Sequence, residues 1–231
     1  FTNISRRNKM AITDSLKKRA HVVHYKTDDI PTKDEIERIL KIGYPLASSK
    51  QNAFPYKVWI LGPNAERSEK LYQMTEQNKI DFDGDVGDKY HANPNLLHVK
   101  SAPWTLITTP RVAPPNPFAA EQCEKTGTSW EMGEESFIPR GRETWSIEVG
   151  MVAKTITGAV LDYNLDTSYC ICFPGEIQDW KAVRGFEFIK YYPYLIQTIG
   201  KADLYKWQNM KPESLAMDTR PPFDDVFEFV D

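Results

Sequence analysis

Apolar positions recur at helical spacing in some stretches of the chain and crowd into short runs in others, and this pattern predicts most of its elements. Met10, Ile12 and Leu16 mark one side of a first helix over 8–20. A second helix opens after Pro31, where Thr32 and Glu35 stand at the spacing of a capping box, in which each side chain binds the other residue's backbone N–H. Ile36, Ile39 and Leu40 follow on one face, and Gly43, Tyr44 and Pro45 stop the helix. Tyr56–Leu61 reads as a strand of aromatic and branched residues. Gly62-Pro63-Asn64 turns the chain, and Asn64 caps a helix running to about Gln77. Residues 78–98 are polar and broken by Gly and Pro, and Trp104–Thr109 is the next strand.

Residues 110–143 carry Pro110, Pro114, Pro115, Pro117 and Pro139. They predict a long excursion with at most short helical pieces, of the kind that often serves as a lid or binding loop. From Trp145 to about Tyr163 the chain is apolar nearly all round, as in a central core helix or a subunit contact. Tyr169–Phe173 and Tyr194–Ile199 are strands, the second ended by Gly200. Beyond Lys201 a polar arm over 201–231 finishes on Val226, Phe227, Phe229 and Val230, an apolar end that suggests a strand packed against a partner subunit. Helices interspersed with about five strands predict a single mixed α/β domain over 1–231, a sheet flanked by helices.

Composition narrows the function classes. Hydrophobic residues make up 41% and charged residues 26%, ordinary for a globular protein, and the net charge of −3 calls for neither nucleic acid nor an acidic membrane. Cysteines number 3, too few for a disulfide framework, and Cys170 and Cys172 read as thiols in a reducing compartment. The sequence has no apolar run of about 18 residues and its N-terminus lacks an apolar signal core, so the cytoplasm is the expected compartment. The acidic run Asp81–Asp88 lacks the Gly and Glu positions of a calcium loop, and His91 and His98 lack the spacing of a zinc site, so no metal is expected. The chain carries no Gly-x-Gly-x-x-Gly or P-loop motif.

Three segments carry candidate chemistry. Lys18-Arg19-Ala20-His21 places cations at the end of the first helix, where they suit a phosphate or a solvated turn. Ser48-Ser49-Lys50-Gln51-Asn52-Ala53-Phe54-Pro55-Tyr56, between a helix and a strand, offers hydroxyls, an amide and a rigid Pro-aromatic step. That set suits the edge of a planar ring, or a plain hydrophilic loop. Arg220-Pro221 near the C-terminus supplies one more cation.

In this order the segments resemble the nitroreductase family. Arg19 and Tyr25 match the first and last positions of its early Arg-x-Ser-x-(Arg/Lys)-x-Phe-like motif. Ser48, Ser49, Asn52, Pro55 and Tyr56 approximate its Ser-Ser-x-Asn-x-Gln-Pro-Trp-like loop, with Phe54 where Gln is usual. Ala102-Pro103-Trp104 is similar to its Ala-Pro strand, Asn164-Leu165-Asp166 to the turn after its central helix, Thr198-Ile199-Gly200-Lys201 to its Gly-ended strand, and Arg220-Pro221 to its terminal Arg-Pro step.

The resemblance implies an α+β sandwich, largely antiparallel and intertwined as a homodimer, with FMN in clefts at the dimer interface. It implies a flavoprotein oxidoreductase that passes reducing equivalents from NADH or NADPH through the flavin to a small electron acceptor such as a nitroaromatic or quinone, by a ping-pong route. The cofactor carries the redox chemistry, so no side chain need be catalytic. Carried over by position, the FMN site comprises Arg19, Ala20, His21, Ser48, Ser49, Lys50, Asn52, Pro174, Gly175, Glu176 and Arg220. Phe173-Pro174-Gly175-Glu176 stands at the loop that binds flavin N5, as a poor match. His21 replaces the usual Ser, Val23 a usual cation, and Asp218 a Lys found in some members, which thins the phosphate's contacts to Arg19 and Arg220, with Lys18 as a substitute cation. Two other readings stay open: flavin cleavage or dehalogenation on the same fold, and a non-catalytic flavin-binding protein.

Overall fold

The computed structural model describes residues 16, 22–49, 54–83, 97–111, 114–115, 117–128, 139–171, 173, 177–203 and 226–228, apart from the side chains of 78–83, 119 and 139–145. In chain order the elements are helix α1 (Lys33–Gly43) with a 3-10 turn (Tyr44–Leu46), strand β1 (Tyr56–Leu61), helices α2 (Ala65–Asp83) and α3 (Leu97–Ser101), strand β2 (Trp104–Pro110), helices α4 (Pro117–Thr126) and α5 (Pro139–Asp162), strand β3 (Asp166–Cys170), helix α6 (Ile177–Ala182) and strand β4 (Leu195–Gly200).

Local chemistry explains the boundaries that were legible. The capping box at α1 is complete: the Thr32 N–H donates to Glu35 Oε2 at 2.8 Å and the Glu35 N–H donates to Thr32 Oγ1 at 3.3 Å. Asn64 Oδ1 accepts the Arg67 N–H at 2.9 Å and opens α2. Asn164 closes α5 at φ +54, a left-handed position that Asn tolerates better than most residues. There the Leu165 N–H reaches back to the Val160 carbonyl at 3.2 Å.

Four expectations are corrected. α2 runs through Asp83, so residues 78–83 are helical rather than loop. The 110–143 excursion contains the ten-residue helix α4, and its last residues form the first turn of α5. Pro117 and Pro139 are helix starters, because the first turn has no partner for the N–H that proline lacks. β3 begins at Asp166, not Tyr169, and ends at Cys170. The six-residue α6 carries too few apolar positions to show a period.

The described strands form one sheet in the order β1-β2-β4-β3, antiparallel at every pairing. Every residue of β2 is buried, because the sheet is covered on both faces. On one face α1 and α5 pack Ile36, Ile39, Val149, Val152, Ile156 and Val160 against Tyr56, Trp104, Leu106 and Ile199. On the other, α2, α3, α6 and the segment after it bring Leu71, Val99, Trp180, Phe186 and Ile189 onto Leu61, Ile107 and Ile196. The result is a helix–sheet–helix sandwich.

The chain before α1 is pinned to the end of β4. Tyr25 bridges Ala202, and its hydroxyl donates to the Thr198 carbonyl at 3.2 Å and lies 2.9 Å from Thr198 Oγ1. Burial pushes that phenol well above its usual pKa range. Gly200 makes room for this contact: a Cβ there would stand 2.7 Å from Tyr25 Cδ1 and 2.8 Å from Pro103. Among the described residues no helix is long and apolar enough to cross a membrane.

Candidate functional site

The loop that follows α1 lies against the middle of α5. The 3-10 turn brings the chain down onto α5, where Leu46, Ala47 and Ser48 form one wall of a cavity of about 420 Å3. Ile147, Gly150, Met151, Lys154 and Thr155 of α5 form the other. Its walls are mostly apolar, and Ser48, Thr155 and Lys154 supply polar groups. Leu46 is 55% exposed and Ile147 68% exposed, although both are large and apolar. A Cβ added at Gly150 would meet nothing within 4 Å, so the helix backbone is bare toward the cavity side without any need inside the subunit.

The two predicted serines divide the work. Ser48 is exposed and lines the cavity. Ser49 holds the loop: its hydroxyl donates to Glu148 Oε2 at 2.6 Å and accepts the Phe54 N–H at 2.7 Å. The Phe54 carbonyl accepts from Arg111 Nε at 3.1 Å and from Nη2 at 2.9 Å. Phe54 sits at φ +46, with its ring centroid 5.2 Å from that of Tyr44 and 6.1 Å from that of Tyr56. The Tyr56 hydroxyl is buried and has no hydrogen-bond partner among the described residues. Burial drives its pKa well above the usual phenol range, Tyr44 and Glu148 add to the rise, and Arg111 opposes it.

Arg19, Ala20, His21, Lys50, Asn52, Pro174, Gly175, Glu176 and Arg220 lie outside the described residues. Tyr25, read as the last position of the phosphate motif, serves the fold through Thr198. Val23, at the position where the resembled motif usually carries a cation, is buried and packs as an apolar residue. Sequence reasoning passed over Glu148 and Arg111. The available signal for Glu148 was an acid flanked by Ile147 and Val149, with no further acid until Asp162 at the helix end. Arg111 gave none, since a cation one residue after a strand is commonplace.

No family model and no curated protein matches the chain in sequence. In three dimensions it is similar to several solved structures. A nitroreductase-like protein from Streptococcus mutans superposes with a TM-score of 0.64 at 17% identity, over 95% of this chain and 98% of that one. A candidate NAD(P)H:FMN oxidoreductase from Staphylococcus epidermidis gives 0.62 at 16% identity, over 99% of both chains. A candidate nitroreductase from Exiguobacterium sibiricum, solved in complex with FMN, gives 0.60 at 16% identity, over 97% and 99%. Helices on both faces of an antiparallel sheet, matched nearly end to end by these structures, identify the architecture: the chain has the nitroreductase-like fold.

Proposed function

We propose that the chain is an FMN-dependent oxidoreductase that works as a homodimer. The observation that carries this reading is the near-complete match to nitroreductase-like structures, one of them holding FMN, combined with the cavity between the Ser48 loop and α5. The cavity suits an isoalloxazine: apolar walls meet the ring body, the bare backbone at Gly150 permits close approach, and hydroxyls stand at the rim. A bound FMN would supply two-electron chemistry, taking reducing equivalents from NADH or NADPH and passing them to a small electrophilic acceptor such as a nitroaromatic or quinone. The protein's part is to bind, orient and exclude water. Ser48, with Lys50 and Asn52, meets the polar rim of the ring, and after Pro174 the backbone N–H groups of Gly175 and Glu176 are offered to its edge. Arg19, with Ala20 and His21 beside it, and Arg220 hold the phosphate.

A second subunit explains the exposed apolar side chains around the cavity, since Leu46, Ile147 and Met151 would lose water on association. Light scattering should then give about twice the 26.6 kDa chain mass. The test of function is the absorbance spectrum followed by anaerobic addition of NADH and NADPH. A yellow protein that bleaches supports the proposal. A yellow protein that stays yellow supports flavin binding without this turnover, and a colourless protein that FMN does not reconstitute defeats the reading.

The phosphate assignment has its own test. Arg19→Ala or Arg220→Ala should weaken FMN by about 1.5–3 kcal/mol, the range for a hydrogen bond to a charged group. Riboflavin, which has no phosphate, should be affected much less. The double variant should be non-additive, since both guanidinium groups share one anion. Fluorescence titration of both ligands checks this, and equal weakening of the two would move the arginines away from the phosphate.

A further inference from the structure

The loop from Ser49 to Phe54 is tied at both ends by charged side chains that come from different elements. At its start Ser49 Oγ is held by Glu148 of α5 at 2.6 Å and itself holds the Phe54 N–H at 2.7 Å. At its end the Phe54 carbonyl takes two bonds from the Arg111 guanidinium, at 3.1 and 2.9 Å, and the Arg111 N–H donates to the Pro55 carbonyl at 3.1 Å. Between these ties the backbone carries a cost, because Phe54 is a bulky residue at φ +46 and persists there only if its surroundings impose it.

Stability alone does not call for this arrangement. Glu148 is only 6% exposed, on a helix whose neighbouring turns bury Val149, Val152 and Ile156. A carboxylate there loses its hydration, and an apolar residue of similar size often serves packing equally well. A buried acid that accepts from a loop serine fixes the start of that loop, and the Arg111 guanidinium fixes its end.

We propose that Glu148 and Arg111 are positioning residues for the flavin ring. They do not touch the ring. They act through Ser49 and Phe54 to fix the two ends of the rim-binding loop before the ring arrives, so that ring binding need not pay for ordering those ends. The proposal rests on the flavin reading above.

FMN and riboflavin are titrated into the wild-type apoprotein and into Glu148→Leu, Glu148→Gln, Ser49→Ala, the Glu148→Leu/Ser49→Ala double variant and Arg111→Lys. Because the ring is common to both ligands, Glu148→Leu should weaken FMN and riboflavin alike, by about tenfold. Glu148→Gln should recover most of the loss, since its amide oxygen still accepts from Ser49. The double variant should be no weaker than the weaker single variant, the mark of two residues acting in one chain of contacts. If Glu148→Leu does not fold, Ser49→Ala and Arg111→Lys carry the same comparison, each expected to weaken both ligands alike. Wild-type riboflavin affinity in Glu148→Leu, a loss confined to FMN, or additive losses in the double variant would each overturn the proposal. A wild-type protein that binds neither flavin overturns the flavin reading itself, and that result is visible before any variant is compared.

Discussion

Trp180→Ala should lower the free energy of unfolding by about 3–5 kcal/mol, the range for truncating a large buried aromatic. Trp180 is fully buried, although it comes from a helix of six residues. Its ring meets Phe173 and Phe186 edge-on, each at a centroid distance of 5.8 Å. Such a short helix has little stability of its own and is held chiefly by this buried ring, with the partly buried Ile177 packed on the same core. Removing the indole leaves a cavity that the rigid sheet beneath, through Ile107 and Ile196, cannot fill. Trp180→Phe is the informative companion. Trp180 Nε1 is buried with no hydrogen-bond partner among the described residues. Replacing the indole by a phenyl ring removes that donor together with part of the volume, so the two effects oppose each other. The expected loss is then about 1–2 kcal/mol, well below that of alanine. Urea unfolding monitored by circular dichroism measures both. An alanine variant within 1 kcal/mol of wild type would show that α6 is not anchored in this way.

Gly43→Val should destabilise by about 3 kcal/mol, at the upper end of the range for overpacking. At the end of α1 this glycine lies directly on α5: a Cβ would stand 2.9 Å from Ile156 Cα, 3.2 Å from Ile156 N and 3.2 Å from the Thr155 carbonyl oxygen. Those atoms are helix backbone and cannot rotate away as a side chain can. The two helices must separate instead, and the turn and loop that wall the cavity opposite α5 follow directly on α1. Separation pulls the Ser49 hydroxyl from Glu148, so flavin affinity should fall together with stability. Gly150→Ala on the same helix is the control. Its Cβ meets nothing within 4 Å, and the helix gains about 1 kcal/mol of propensity over glycine. Its stability should hold or rise. If Gly43→Val melts with wild type, the close crossing of α1 and α5 is not what sets their distance.

Strong local signals were readable along the chain. Thr32 and Glu35 close a capping box between neighbours in sequence, and α1 begins where that pair places it. Tyr56–Leu61 alternates between the two faces of the sheet, and its limits are those expected from its aromatic and branched residues. The order of loosely matched segments also sufficed to anticipate the fold, since the co-linear sequence of elements reflects topology even where individual positions have drifted. Polar strands were harder. Asp166-Thr167-Ser168 opens β3 without an apolar residue, because these side chains are satisfied by others far away: Asp166 Oδ2 accepts the Ala202 N–H at 2.9 Å, and Thr167 Oγ1 accepts from Gln197 Nε2 at 3.1 Å.

Pattern and capping could mark the Ser48 loop as polar, small and rigid, but could not say which hydroxyl faces the cavity. Ser48 and Ser49 are adjacent and chemically identical, and they differ only because Glu148, ninety-nine positions away, sits within reach of one of them. The same holds for Arg111, whose guanidinium finds the Phe54 carbonyl fifty-seven positions back only because β1 and β2 pair with Tyr56 opposite Pro110. Element type is set by interactions among near neighbours, and a single chain displays them. The partners of a buried charge are set by how helices and strands pack, and that information enters only when the sheet is assembled and α1 closes on α5.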